Sequence, residues 1–172
     1  MHEIGHNIGL RHSNENNKAY NDQSCLMGLS YTSNHEFPKM CFNGAKSWLL
    51  GWYKNKSTSI KLDSDDQDAY WNGNLVGVTN YLTVSATQTQ HTKHQHVVVA
   101  EIVTSDDSDD ESANYYLLFN HKDGINSQVA EFGDQITITR GHFHGTGDYL
   151  NEFDASEHMG HLAVGDSYTK WT

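Results

Sequence analysis

The sequence predicts an α+β fold with its helices early and its strands late. Two observations set that division. Up to about residue 55 apolar residues recur at helical spacing, first in "MHEIGHNIGL" and again in "NGAKSWLLGWY" from Asn43. Beyond Lys54 the pattern changes to short β-branched and aromatic runs separated by polar turns. The expected organisation is a helix-containing unit over residues 1–55 and a β-rich unit over residues 56–172, the latter a β-sandwich or jelly-roll-like region. A chain of 172 residues holds one ordinary core, or a small core and a compact second module, but not two full-sized domains.

The first expected element is a helix from Met1 to about Leu10, with Ile4 and Ile8 facing the core and Gly9 as its terminator. Ser13 to Met40 follows as a loop-rich passage containing the single proline, Pro38. A second short helix is capped by Asn43 and ended by Gly51; Ala45, Trp48, Leu49 and Trp52 form its apolar stripe, and the two tryptophans are expected beneath the first helix. Strands are then expected at "YLTVSA" from Tyr81, "HVVVAEIV" from His96, "NYYLLFN" from Asn114 and "QITIT" from Gln135. Turns fit between them at Asp123-Gly124 and in "GHFHGTG" from Gly141, and the chain has no internal repeat.

Charge and composition exclude several functions. Eleven Lys and Arg stand against 22 Asp and Glu, a formal charge of −11, which leaves no clustered basic surface for a nucleic-acid backbone. No run approaches the roughly 18 to 20 apolar residues needed to span a bilayer. The N-terminus lacks the basic and apolar segments of a signal peptide, so the expectation is either an intracellular protein or a start lying upstream of Met1. Cys25 and Cys41 leave three states open: a bridge closing a loop of about 15 residues, two reduced buried thiols, or pairing with cysteines outside the chain. The acidic segments from Asp63 and Asp106 lack the spacing of a calcium loop and are expected as solvated loops. His91 with His94 and His96, His142 with His144, and His158 with His161 lack acidic or thiol partners at ligand spacing, and exposed strand ends account for them. Asn55-Lys56-Ser57 is a glycosylation sequon where the two units meet.

The chemistry is carried by His2, Glu3, His6, Gly9 and His12. On a helix His2 and His6 lie about 40° apart, one turn from each other, so both imidazoles reach one ion. Glu3 sits about 100° round from His2, within reach of a water on that ion without becoming a ligand. Gly9 lets the chain turn so that His12 returns as a third ligand. Three histidines leave a fourth position for water, the arrangement of a catalytic Zn2+ site, with Glu3 as general base.

The spacing H-E-x-x-H-x-x-G-x-x-H resembles that of the metzincin zinc endopeptidases, whose members carry a methionine turn under the metal. Met27, in "SCLMGLSY", looks like that methionine. Together with "CFNGAKSWLLGWY" and "YYLLFNHKDGIN", these segments are similar to the gametolysin family, secreted algal metzincins that degrade cell-wall and extracellular-matrix proteins. The resemblance implies the C-terminal part of a metzincin catalytic domain over residues 1–55, Zn2+ as cofactor, an extracellular glycoprotein as substrate and secretion. It also implies that the substrate-binding half preceding the zinc helix lies upstream of Met1. Some metzincins place a tyrosine two residues after the methionine; Leu29 stands there, and Tyr31 is the nearest phenol, either touching zinc or substrate or packing with its hydroxyl solvated. The competing function is a secreted, non-catalytic β-sandwich adhesion module with a relict metal site.

Overall fold

Runs of Val, Ile and Tyr lie at the centre of one mixed sheet, because only residues buried on both faces tolerate so little polarity. In the structure, a computed structural model, residues 1–28, 39–61, 73–78, 96–104, 114–141 and 155–169 are described. Two helices, α1 (His2–Asn7) and α2 (Gly44–Leu49), accompany eight strands: β1 (Ser13–Glu15), β2 (Ser57–Lys61), β3 (Asn74–Leu75), β4 (His96–Val97), β5 (Val99–Val103), β6 (Asn114–Phe119), β7 (Ile136–Gly141) and β8 (Ser156–Leu162). Six of the strands form a sheet in the order β1-β8-β7-β6-β5-β2, and β3 pairs with β4 separately. The α+β class is as expected.

From β5 to β8 the sheet is an antiparallel meander, while β1 and β2 join its two edges in parallel. The period of two is visible along β6. Tyr116 and Leu118 join Ala45, Val98 and Val99 in the core beneath α2, whereas Tyr115 meets Ile102 and Ile138 on the opposite face, with Tyr168 packed alongside. Gly44 lets the start of α2 sit directly on β6, since a Cβ there would meet Tyr116 at 3.1 Å. A buried carboxylate, Glu101 of β5, accepts hydrogen bonds from Ser59, Asn114 and Tyr116 at 2.8, 3.0 and 3.2 Å. Burial, then the neighbouring Glu101 charge, raises the Tyr116 phenol pKa above its ordinary value.

Several expectations need correction. Among the described residues the layer covering the sheet is α2, not a second sheet, so the expected sandwich is a single six-stranded sheet with a two-stranded pair beside it. β1 joins this sheet at its β8 edge, and α2 packs against β5, β6 and β7. Ile4 and Ile8 are exposed, at 55% and 46%, because the inward face of α1 is the one bearing His2 and Gly5. Trp48 packs on Tyr116 of the sheet instead of beneath α1, and Trp52 is exposed beside Phe42. Cys25 and Cys41 are free thiols, not a bridge. Cys25 points into a cluster with Leu10 and Met27, while Cys41 packs against the core under α2. Burial pushes the two thiols up to about 12 and about 11, so both stay protonated.

Of the histidine clusters, His158 is buried within β8, not at an exposed strand end. The expected strand at Tyr81, residues 91 and 94, the glycine-rich turn after Gly141 with His142 and His144, and both acidic segments lie outside the described residues. Asn55 of the sequon is exposed on a single 3-10 turn, Lys54–Lys56. No helix among the described residues is long and apolar enough to cross a membrane.

Candidate metal centre

Six residues of α1 carry His2, Glu3 and His6, and the helix ends where a left-handed residue is available. Gly9 has φ 87°, which glycine adopts without a Cβ clash, and Gly9 and Leu10 donate back to the carbonyls of His6 and Gly5 at 3.1 and 3.0 Å. Leu10 is buried after that turn, and the chain reaches His12 just before β1. The ligand atoms of His2, His6 and His12 lie within 4.8 Å of one another. Their ring centroids are 4.9 Å apart for His2–His6 and His6–His12, and 5.7 Å for His2–His12.

Ring orientation follows from hydrogen bonding. Nδ1 of His2 lies 2.9 Å from the Leu26 carbonyl, and Nδ1 of His6 lies 2.8 Å from the Leu10 carbonyl. A carbonyl can only accept, so each Nδ1 carries the proton and donates, and Nε2 is the ring nitrogen that would ligate a metal. The pKa of His12 is held below the ordinary 6.5 by burial first, then by the charges of His6, His2, Lys46 and Arg11. A neutral imidazole is the form that binds metal, so the direction of this shift favours ligation near neutral pH. Three imidazoles, two of them with the tautomer fixed by a carbonyl, suit a borderline divalent ion of the zinc type. Glu3, on the turn of α1 between His2 and His6, is exposed.

A second layer supports the histidines. Met27 is fully buried under α1, where an added Cβ on Gly5 would fall on its sulfur. The turn continues at Gly28, which donates to the Cys25 carbonyl at 2.9 Å and passes so close to the Asp22 carbonyl that no side chain fits. Ser13, next to His12, donates its amide to the Met27 carbonyl at 2.8 Å and its hydroxyl to Asp22 Oδ2 at 2.6 Å. Asn43 Nδ2 reaches Ser13, Asp22 and Ser156 at 2.7, 3.1 and 2.9 Å. The buried carboxylate of Asp22 also accepts from the Ser24 amide at 3.0 Å.

The structure thus brings together the three predicted ligands and sets Met27 below them, while Tyr31 lies outside the described residues. Sequence reasoning missed Tyr20, whose ring lies 3.7 Å from that of His12, and the Ser13–Asp22–Asn43–Ser156 network. The sequence carried one local signal for the network, Asp22 two residues before Ser24, the spacing of an Asx turn. Tyr20 carried none.

Three histidines around one point and a glutamate between two of them on a helix match the H-E-x-x-H pattern of metallopeptidases. The chain belongs to the gametolysin peptidase M11 family, whose model matches residues 1–170. No curated protein and no solved structure matches it.

Proposed function

We propose that the protein is a secreted zinc-dependent endopeptidase that hydrolyses peptide bonds of extracellular-matrix or cell-wall proteins. The observation that carries this reading is the convergence of three imidazoles within 4.8 Å, two of them with Nδ1 committed to a carbonyl. His2, His6 and His12 hold the ion, and α1, the Met27 turn and α2 are the zinc helix, Met-turn and following helix of a metzincin domain. When bound, zinc lowers the pKa of a coordinated water to about 7 and polarises the scissile carbonyl. Glu3 takes the proton from the water as its oxygen adds to the carbonyl carbon, and then passes that proton to the amine, so the new C–O bond forms first and the peptide C–N bond breaks after it.

A cavity of about 580 Å³ adjoins the centre at Leu26, whose carbonyl orients His2; Met1, Met40, Phe42, Trp52 and Ile125 also line it. Its apolar walls support a preference for an apolar substrate side chain near the scissile bond. The proposal is tested by Glu3→Gln in the purified protein. Zinc content should stay at one per chain while turnover of protein substrates falls by about 10² to 10⁴, the contribution of a general base. Retained turnover would remove Glu3 from that role.

A further inference from the structure

Two of the three histidines are oriented by carbonyls, and the third is oriented differently. Among the described residues no hydrogen bond fixes the ring of His12; the ring of Tyr20 packs on it instead, 3.7 Å between centroids with a 40° tilt. The same tyrosine lies 6.0 Å from His2, inclined by 25°. Tyr20 therefore overlaps the His2–His12 side of the cluster.

The backbone that delivers this ring is costly. Tyr20 has φ 65°, and Asn16 and Asn17 have φ 53° and 58°. Asparagine tolerates the left-handed region, but a residue with an aromatic side chain is disfavoured there by roughly 1 to 2 kcal/mol. Bonds at both ends hold the turn. Glu15 and Lys18 exchange backbone hydrogen bonds at 3.1 and 3.0 Å, Asn21 donates to Glu15 at 3.2 Å, and Asp22 is locked to Ser13. Strain kept in place by such a frame marks a position whose side chain has a task.

We propose that Tyr20 is a positioning residue for His12: its ring does by packing what the carbonyls of Leu26 and Leu10 do for the other two histidines by hydrogen bonding. The ring carries the role and the hydroxyl does not. This rests on the His2, His6 and His12 centre proposed above.

The test uses the whole chain with Co2+ and Zn2+ as probes, comparing wild type with Tyr20→Phe, Tyr20→Leu and Tyr20→Ala. Metal affinity is read by chelator competition, and ligand geometry by the visible absorption of the Co2+ protein, which a purely structural role would leave unchanged. Tyr20→Phe should match wild type in both. Tyr20→Ala should lose affinity by about tenfold, the low end for residues that orient a ligand, and change the Co2+ spectrum. Tyr20→Leu, which keeps bulk without a ring, should show the same loss of affinity and spectral change, and it decides the question where Tyr20→Ala folds poorly; a Tyr20→Leu protein like wild type overturns the inference. A Tyr20→Phe protein that falls with Tyr20→Ala, or a Tyr20→Ala protein indistinguishable from wild type, overturns the inference while leaving the metal centre intact. If wild type binds neither ion, the centre and the inference fall together.

Discussion

An added methyl group at Gly5 would fall on the sulfur of Met27, at Gly28 it would fall on the backbone carbonyl of Asp22, and at Gly51 it would meet nothing within 4 Å. These three environments separate helix propensity from packing. In an exposed helix Gly→Ala gains about 1 kcal/mol, and Gly5 lies within α1. Met27 is fully buried, however, and cannot move aside without displacing Leu10 and Cys25. Gly5→Ala is therefore expected to lose about 1 to 3 kcal/mol net by overpacking, measured by denaturant unfolding with zinc present. Gly28→Ala should lose more, since a backbone carbonyl yields less readily than a thioether. A Gly5→Ala protein as stable as wild type would mean that the seat of α1 on Met27 is loose. The same contact explains why helical phase alone misplaced Ile4 and Ile8. Apolar residues marked one face of α1 as inward, but the helix is seated through Gly5, whose lack of a side chain leaves no trace in a hydrophobic pattern.

Among the elements, β5, β6 and β7 and both helices were legible because their residues state their environment. Val97, Val99, Ile102, Tyr115 and Tyr116 are β-formers buried in strands, and Asn43 caps α2 as its position before the apolar stripe implied. β1, β2 and β8 were not legible. Ser13–Glu15 and Ser57–Lys61 are polar strands at the two edges, and Ser156–Leu162 mixes polar and apolar residues, so pairing partners rather than local pattern place them. Asn43 joins two of these levels. Its side chain accepts from the Lys46 amide at 3.0 Å as an N-cap, and its Nδ2 donates into the Ser13, Asp22 and Ser156 cluster. Asn43→Ala is expected to destabilise by about 2 to 4 kcal/mol, adding a lost cap to buried oxygens left short of a donor. Asn43→Asp keeps an equally good cap but replaces the donor with an acceptor beside Asp22. Thermal unfolding should find it no more stable than Asn43→Ala; recovery by Asp would show that the cap alone matters.

On the scale of the whole molecule, the strand that follows the third histidine is closed by a strand more than 140 positions away. Ser13 to Glu15 pair with Ser156 to His158, and Ser156 donates its amide to the His12 carbonyl at 3.3 Å, so the seam joining β1 to β8 also backs the metal centre. His158 lies in that seam, 6% exposed, stacked on Phe132 at 4.6 Å and 4.0 Å from Glu15. Both of its ring nitrogens are buried without a hydrogen-bond partner among the described residues. Burial holds its pKa below the ordinary 6.5, with the Asp22 and Glu15 charges opposing and His161 assisting. In the window between 6.5 and the lower folded value, the unfolded chain binds more protons than the folded one, so stability rises with pH and is lost on acidification. The sign distinguishes this histidine from one held by an ion pair, which would gain stability in acid. His158→Phe keeps an aromatic ring for Phe132 and removes the titration. Melting temperatures of both proteins, measured from pH 7.5 to 5 with the metal chelated throughout, should fall less steeply for His158→Phe below pH 6.5. Groups far from position 158 are common to the two proteins and cancel in the difference. Parallel curves would show that the seam does not sense the proton, and a steeper fall for the variant would reverse the sign assigned to His158.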